Sequence, residues 1–340
     1  MNISMILYFS ILSLYIFISI IIRNRLKRDK LFLNLAFTLL FVVLAIRVPY
    51  SDMNNYLNYF HKIHQMNFSE FLSFKIEFLY KLLNLIIGKI YFNDRFFMII
   101  IAIITCIGPY CFIKRYSENY LLSILLFISI GTYSLQFFVI RQAIAITFLL
   151  LSLKYIEKKN LKKFLILVGI ATLFHYSSCF FVFIYYFDKI PNKTKILLSV
   201  LLFIGTILFK EQLYGLIGYT SYNTYMDIGI QGEGYGMLSL LIILLLFSLL
   251  FKLKDNENEM ETYLSMSIMA TILQIMATRI SIFSRLVYDF INGLIVLPVN
   301  RIKNIKDKHL RRIISTIIII SGFIFLYNWS GIYGYNTIFK

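Results

Sequence analysis

The sequence predicts an all-α, polytopic integral membrane protein. The chain has 340 residues, of which 59% are hydrophobic, and its mean hydropathy is +0.76, whereas a globular domain is only about 45–50% apolar. Apolar runs recur along the whole chain with short polar breaks, and one bilayer crossing takes roughly 20 residues of helix. The sequence therefore predicts about 12 transmembrane helices, roughly 10 to 13, in a single domain over residues 1–340.

The placement of the positive charge predicts the orientation of the chain. The net charge is +17, and lysine and arginine concentrate in short loops between apolar runs, as the positive-inside rule describes for cytoplasmic loops. Three loops carry five or six basic residues against one acidic residue: Arg23–Lys30, Lys154–Lys163 and Arg301–Arg312. This distribution predicts a membrane protein with no nucleic-acid partner. The first helix is expected to be retained, since its basic cluster follows the apolar segment instead of preceding it.

Basic loops on the same face of the membrane must be separated by an even number of crossing helices. This requirement predicts two departures from simple crossing helices. Segment Glu77–Phe92 carries three charged residues and is expected to form an interfacial or re-entrant helix on the outer side. The run Phe164–Phe187 is interrupted near His175, which fits either two short helices that meet near the outer face or one ordinary helix. Two long polar loops, about residues 47–76 and 210–236, are then expected outside.

Arg141, followed by Gln142, lies between two apolar runs and is the first candidate functional residue. A charged side chain in the membrane costs about 2.5–3.5 kcal/mol on insertion scales, so its presence needs a reason. A guanidinium is suited to phosphate or diphosphate, because its planar fork matches two oxygens at once. The alternative is an arginine that extends to the lipid headgroups.

A polar segment after the second apolar run is the second candidate. It contains Arg47, Asp52, Tyr56 and Tyr59, and carboxylates beside aromatic rings are typical of sugar-binding surfaces. The same residues also fit a loop in which Asp52 simply caps a helix. His175 fits a general base or a phosphate ligand, since its unperturbed pKa is near 6.5, or alternatively a buried neutral histidine.

Arg279 and Arg285 form a second arginine group near the end of the chain, with Tyr288 beyond them. Two separated arginine sites suit a substrate with two phosphate-bearing components. His61 and His64 have helical spacing but no third ligand, so no metal site is predicted, and no cofactor is expected.

Taken together, these motifs resemble the Wzy/EpsG type of bacterial polysaccharide polymerase over roughly residues 40 to 300. The most specific part is the arginine–glutamine pair that starts a helix, followed about thirty residues on by Phe-His-x-Ser. The residues that carry the resemblance are Asp52 with Tyr56 and Tyr59, Glu77-Phe78, Arg141-Gln142-Ala143-Ile144-Ala145, Leu173-Phe174-His175-Tyr176-Ser177, and Arg285 to Tyr288.

The resemblance implies a GT-C-like polymerase fold in the bacterial inner (cytoplasmic) membrane. It implies a glycosyltransferase that joins undecaprenyl-diphosphate-linked oligosaccharide repeat units at the outer face, with a chain-length regulator protein as a further partner. The implied catalytic residues are Arg141, which would stabilise the leaving diphosphate, and Asp52 or His175, which would be the base. The implied substrate-binding residues are Arg47, Tyr56, Tyr59, Gln142, Arg279, Arg285 and Tyr288.

Three other functions stay open from the sequence. A flippase or other transporter of lipid-linked oligosaccharide would bind the same substrate without bond chemistry, but transporters typically contain internal repeats and none is evident. An O-antigen ligase would use the same lipid-diphosphate donor with another acceptor. A membrane acyltransferase would need a reactive histidine near a cytoplasmic donor, whereas His175 is expected near the outer face. The product, whether O-antigen, capsule or exopolysaccharide, is left open.

Overall fold

The computed structural model of the protein describes residues 3–22, 29–49, 52–209, 212, 234–251, 257–278, 280 and 282–329. All regular secondary structure in those residues is helical, which confirms the all-α prediction for the described part of the chain. The chain divides into two compact units, residues 1–179 with 312–340 and residues 180–311. Each unit is described separately, and a single domain over the whole chain stays a prediction.

In the described residues, the first unit contains ten successive helices of very different lengths. In chain order they are α1 (Ile3–Ile22), α2 (Lys30–Ala45), α3 (Asp52–Gln65), α4 (Phe68–Ser73), α5 (Phe78–Ile90), α6 (Asp94–Tyr116), α7 (Tyr120–Ser129), α8 (Thr132–Phe138), α9 (Ile140–Glu157) and α10 (Leu161–Phe174).

The centre of the first unit is the packing of α9 against α6 and α10. A side chain at Gly108 of α6 would place its Cβ only 2.6 Å from the Cα of Thr147 on α9. The glycine therefore lets the two backbones approach closely, as small residues do between membrane helices. Helix α2 packs on α6, and the short helix α5 packs on both α3 and α10. These contacts bring the α3–α5 region against the start of α9 and the end of α10.

Asparagine side chains define where several helices of this unit begin. Asn67 forms a capping box with Glu70 at the start of α4, Asn93 accepts two backbone N–H groups at the start of α6, and Asn160 caps α10. Such caps satisfy backbone donors that have no partner within the helix. Between α7 and α8 the chain turns at Gly131, whose φ of 84° is readily adopted only by glycine.

The second unit is built around a long helix that contacts most of its neighbours. Its helices are α11 (Phe183–Phe187), α12 (Asn192–Leu208), α13 (Tyr235–Leu250), α14 (Glu257–Ala277), α15 (Phe283–Phe290), α16 (Gly293–Ile302) and the start of α17 (Lys308–Trp329). Helix α14 packs against α11, α12, α13, α15 and α16. Most of α17 belongs to the first unit, where the Tyr8 hydroxyl donates to the carbonyl of Ile319 over 2.7 Å.

Two of the described helices are long and apolar enough to cross a membrane. They are α6 and the portion Lys308–Tyr327 of α17. The pair α7 and α8 adds a third span if the two helices, bent by 47° at their break, are counted as one. Other apolar helices in the described residues are 10–17 residues long. The expectation of about 12 crossings and of a GT-C-like fold stays a prediction.

The apolar run that contains His175 is broken at that residue. Helix α10 ends at Phe174, His175 is extended with φ of −154°, and a 3-10 helix then runs from Tyr176 to Val182. One uninterrupted helix through this run, the simpler of the two alternatives, is therefore wrong. Glu77–Phe92 does form a short helix, α5, and its placement on the outer side of the membrane stays a prediction.

Candidate active site

A carboxylate and a guanidinium from two different helices form the centre of the candidate site. Glu77 immediately precedes α5, and Arg141 lies in the first turn of α9. Arg141 Nη1 donates a hydrogen bond to Glu77 Oε2. The Glu77 side chain is 4% exposed and that of Arg141 is 26% exposed. The pair is thus largely out of water, and the arginine keeps an accessible part.

His175 approaches the other oxygen of the same carboxylate. Its Nδ1 lies 3.5 Å from Glu77 Oε1. The imidazole is buried, and the backbone N–H of His175 donates to the carbonyl of Ala171 at the end of α10. One carboxylate therefore contacts both basic side chains. Glu77, Arg141 and His175 are called the charged cluster below.

Tyrosine rings line one side of the charged cluster. The Arg141 guanidinium lies 5.8 Å from the ring centroid of Tyr56 on α3, and the two side chains also share a hydrogen bond. The Tyr56 ring is 6.0 Å from that of Tyr80 on α5 and 6.4 Å from that of Tyr59. These rings hold Arg141 between a carboxylate and an aromatic face, which limits its rotation.

The electrostatics of the cluster keep Glu77 ionised. Burial alone would raise its pKa, but the contact with His175 and the charge of Arg141 outweigh burial, so the pKa of Glu77 lies below its ordinary value. A carboxylate with a lowered pKa is a weak base. It is better suited to orienting its two partners than to accepting a proton from a substrate.

Three buried nitrogen atoms of the cluster have no hydrogen-bond partner among the described residues. They are Arg141 Nε and both ring nitrogens of His175, of which Nδ1 lies 3.5 Å from Glu77 Oε1. A buried polar atom without a partner is costly and rare, so each instance calls for an explanation. Pairing with a polar ligand is one such explanation. Among the described residues, no group of three or more His, Cys, Asp or Glu side chains could hold a metal ion.

The structure brings together some of the residues expected from the sequence and separates others. Tyr56 contacts Arg141 directly. Asp52 is exposed in the first turn of α3, one helical turn before Tyr56. Gln142 is fully buried beside Arg141. Arg47 is 3% exposed and donates to the backbone carbonyl of Gln136 over 2.7 Å. That contact holds the segment before α3 against α8, and a substrate-binding role for Arg47 stays a prediction.

The late arginine group belongs to the second unit. Arg285 and Tyr288 lie on α15, and both are partly exposed. Arg279 lies outside the described residues. The functional role of all three residues stays a prediction.

Glu77 is the residue that sequence reasoning undervalued. It was interpreted as one of the charges that make Glu77–Phe92 a poor crossing helix, and it stood in the family pattern, but it was not a candidate site residue. A signal was present, because a carboxylate among apolar residues needs a cation nearby. Choosing Arg141 as that cation required the contacts of α5 with α10 and of α10 with α9, which the sequence alone does not provide.

The described helices and the charged cluster define a class of protein, a helical membrane protein with a buried cluster of acidic and basic side chains. A protein-family model assigns it further: the EpsG family model matches residues 30–340, so the chain belongs to the EpsG family. This is a family of exopolysaccharide and O-antigen polymerase-type proteins, which confirms the resemblance found in the sequence. The search of curated proteins and the search of solved structures gave no match.

Family membership gives the protein a general role. It is a membrane protein of polysaccharide biosynthesis with a glycosyltransferase-like polymerase function.

Proposed function

We propose that the protein polymerises undecaprenyl-diphosphate-linked oligosaccharide repeat units by glycosyl transfer at the outer face of the inner membrane. The single observation that carries the proposal is the charged cluster, in which Glu77 contacts Arg141 through one oxygen and His175 through the other. Transfer from a lipid diphosphate needs a cation for the leaving group and a base for the attacking hydroxyl. Arg141 and His175 supply these two groups in one place.

His175 is the base that the geometry favours. Its Nδ1 faces the Glu77 carboxylate, so Nε2 remains for the substrate. A carboxylate on one ring nitrogen fixes the tautomer and stabilises the imidazolium that forms when the other nitrogen accepts a proton. Asp52, the alternative base, lies on the exposed face of α3.

The proposed step balances as a single displacement. The acceptor hydroxyl oxygen forms a bond to C1 of the donor sugar, and its proton passes to His175 Nε2. The bond from C1 to the diphosphate oxygen breaks, and the electron pair leaves with undecaprenyl diphosphate. Arg141 stabilises the negative charge that develops on that oxygen, because its guanidinium is already held in place by Glu77 and Tyr56. Arg285 is the candidate for the diphosphate of the second lipid-linked unit.

The proposed function is tested by a glycan ladder from cells that lack this gene and then regain it. Loss of the polymerase should leave surface glycans of a single repeat unit, and the gene should restore the full ladder. If even the single unit disappears on deletion, a flippase or ligase function replaces this proposal. A ladder that persists without the gene removes the polymerase function altogether.

The orientation of the site is tested with a native cysteine. Cys179 is exposed and follows His175 by four residues, so an impermeant thiol reagent added to intact cells should label it. A cysteine at Asn160, introduced with Cys179→Ser, should react only after permeabilisation, because the Lys154–Lys163 loop is expected inside. The reverse pattern of labelling would place His175 near the cytoplasmic face.

A further inference from the structure

A groove next to the charged cluster is the feature of the first unit that the proposed reaction leaves unused. It lies between α3, α4 and the segment that leads to Glu77, and its cavity volume is about 620 Å³. That volume is within the usual range for small-molecule sites, about 300–1,000 Å³. The residues that line the groove and carry the argument are Tyr59, Lys62, Gln65, Glu70, Phe74 and Lys75. This site is called the α3–α4 groove below.

The lining of the α3–α4 groove combines aromatic rings with polar groups. The Tyr59 and Phe74 rings meet edge to face with centroids 5.9 Å apart, and the Lys62 ammonium lies 5.3 Å from the Phe74 centroid. Gln65 and Lys75 are exposed. Aromatic faces can stack on the C–H faces of sugar rings, while ammonium and amide groups hydrogen-bond to hydroxyls. This composition fits a saccharide better than a lipid tail, which needs no polar partners.

A buried lysine holds the groove in a fixed position relative to the charged cluster. Lys81 is 3% exposed, and its ammonium donates to the carbonyls of Phe71 over 2.7 Å and of Phe74 over 2.9 Å. A cation at these carbonyls is favourable because they lie at and just beyond the C-terminal end of α4. The anchored segment contains Phe74, a wall of the groove, and leads within three residues to Glu77. The groove and the cluster are therefore set by the same piece of chain.

A continuous set of aromatic rings connects the two sites. Tyr59 lines the groove, its ring is 6.4 Å from that of Tyr56, and the Tyr56 ring is 5.8 Å from the Arg141 guanidinium. A saccharide that stacks on Tyr59 would therefore contact a ring that packs on Tyr56, the neighbour of Arg141.

We propose that the α3–α4 groove binds the oligosaccharide of the acceptor repeat unit, with Tyr59 and Phe74 as stacking residues and Lys62, Gln65 and Lys75 as hydrogen-bond donors. This inference rests on the proposed function, which makes the ligand a repeat unit. It goes beyond that function by separating the acceptor sugar site from the diphosphate site at Arg141.

The test measures binding of one defined probe to full-length protein in lipid nanodiscs. The probe is the free repeat-unit oligosaccharide, released by mild acid from the lipid-linked precursor of the same cells. Tyr59→Ala should weaken its binding about tenfold, as expected for an aromatic contact residue, whereas Tyr59→Phe should stay close to wild type. Lys75→Gln, at an exposed position where folding is not at risk, should weaken binding by about threefold.

Matched controls outside the groove separate a local effect from a general one. Phe68 is 78% exposed on α4, and Lys89 is exposed at the end of α5. Phe68→Ala and Lys89→Gln should bind the oligosaccharide as wild type does. Arg141→Ala should also bind it while making no polymer, because the diphosphate site is distinct.

Two outcomes would overturn the groove assignment. One is unchanged oligosaccharide binding and polymer length in both Tyr59→Ala and Lys75→Gln. The other is binding of inorganic pyrophosphate that depends on Lys62 and Lys75 without any binding of the oligosaccharide, which would make the groove an anion site. If instead the proposed function is wrong, the glycan ladder persists in the deletion strain, whether or not the oligosaccharide binds to the protein.

Discussion

Each of the two units contains a buried ionic cluster, and the two clusters differ in how completely their polar atoms are paired. In the second unit, the fully buried Lys195 donates to Ser265 over 2.7 Å and lies 3.6 Å from Glu261. Ser265 and Thr262 donate to the two carboxylate oxygens of Asp188 over 3.2 and 3.1 Å. These five residues are called the Lys195 cluster. In the first unit, the charged cluster leaves Arg141 Nε and both ring nitrogens of His175 buried without a hydrogen-bond partner among the described residues.

We propose that this difference separates a structural cluster from a functional one. A network whose donors and acceptors are all paired holds α11, α12 and α14 together and leaves no position for a ligand. Buried nitrogen atoms without a partner are unfavourable, and the proposed function has the substrate pair with them. Residue types alone do not distinguish the two clusters, since both contain a carboxylate and a long cationic side chain. What distinguishes them is whether each buried donor and acceptor has a hydrogen-bond partner.

The largest effect is expected at Arg141. Arg141→Ala should reduce polymer formation about 100-fold or more, the usual consequence of losing a group that stabilises charge in the transition state. Arg141→Lys should restore only part of it, because an ammonium lacks the planar fork. The measurement is the glycan ladder, read beside the amount of protein in the membrane.

The matched control for Arg141 is Arg115, whose side chain is 49% exposed and pairs with Glu157 over 3.1 Å. An exposed ion pair contributes at most about 1 kcal/mol to stability, so Arg115→Ala should leave both the ladder and the protein level unchanged. Equal glycan ladders from Arg141→Ala and Arg115→Ala would contradict the proposed role of Arg141.

A smaller loss of activity is expected from Glu77→Gln, since Glu77 acts through its partners and does not touch the reacting atoms. The rate should fall by at least about tenfold, mainly in kcat, because the imidazole loses the group that fixes its tautomer. A positioning role also predicts that the pH profile of the rate changes shape, and that Glu77→Asp recovers part of the activity. An unaltered pH profile with a lowered protein level would instead indicate a purely structural residue.

The Lys195 cluster should respond in the opposite way, with a change in stability and not in chemistry. Lys195→Met removes one member of a buried ionic network and should lower the free energy of unfolding by about 3 kcal/mol. Polymer made per folded molecule should stay at the wild-type level. The check is thermal unfolding of purified protein alongside the rate normalised to folded protein. A loss of rate at unchanged stability would assign Lys195 to function.

The smallest expected effect is a difference in how the contributions of the two clusters to stability depend on pH. The pKa of Glu77 is lowered from its ordinary value of 4.5, so its stabilising contribution is complete above pH 4.5 and is lost as the pH falls through the folded-state pKa. Burial raises the pKa of Asp188 above its ordinary value of 3.8, although Thr262 and Lys195 oppose the rise. Its contribution therefore declines as the pH rises above 3.8.

Two amide variants test these opposite slopes. The melting temperature of wild type minus that of Glu77→Gln should fall as the pH falls below 4.5. The melting temperature of wild type minus that of Asp188→Asn should rise over the same range. Parallel curves for the two variants would contradict the assignment.

The sequence predicted the helical membrane class and the family because both depend on features of local sequence. Apolar runs, basic loops and the spacing from Arg141 to His175 can all be found without a structure. The break at His175 is one of the two alternatives that the sequence leaves open, and its signal is the polar cluster that interrupts the apolar run there.

The parts that were not predicted depend on contacts between distant residues. Nothing local pairs Glu77 with Arg141, 64 positions later. Nothing local distinguishes Lys195 from the nearby Lys189 and Lys193. It is nevertheless fully buried against α14, because Asp188 and Ser265, which lie far apart in the chain, are both partners of its ammonium group. The residues of the α3–α4 groove likewise become a site only when α3 and α4 are packed together.

The central claim, that the charged cluster performs glycosyl transfer, is tested most directly by the stoichiometry of the reaction in purified protein. Wild-type protein in nanodiscs, supplied with lipid-diphosphate-linked repeat units, should release one undecaprenyl diphosphate for each glycosidic bond formed. His175→Gln and Arg141→Ala proteins that melt at the wild-type temperature should form neither product, while Arg115→Ala should match wild type. Bond formation at the wild-type rate by His175→Gln and Arg141→Ala would contradict the account.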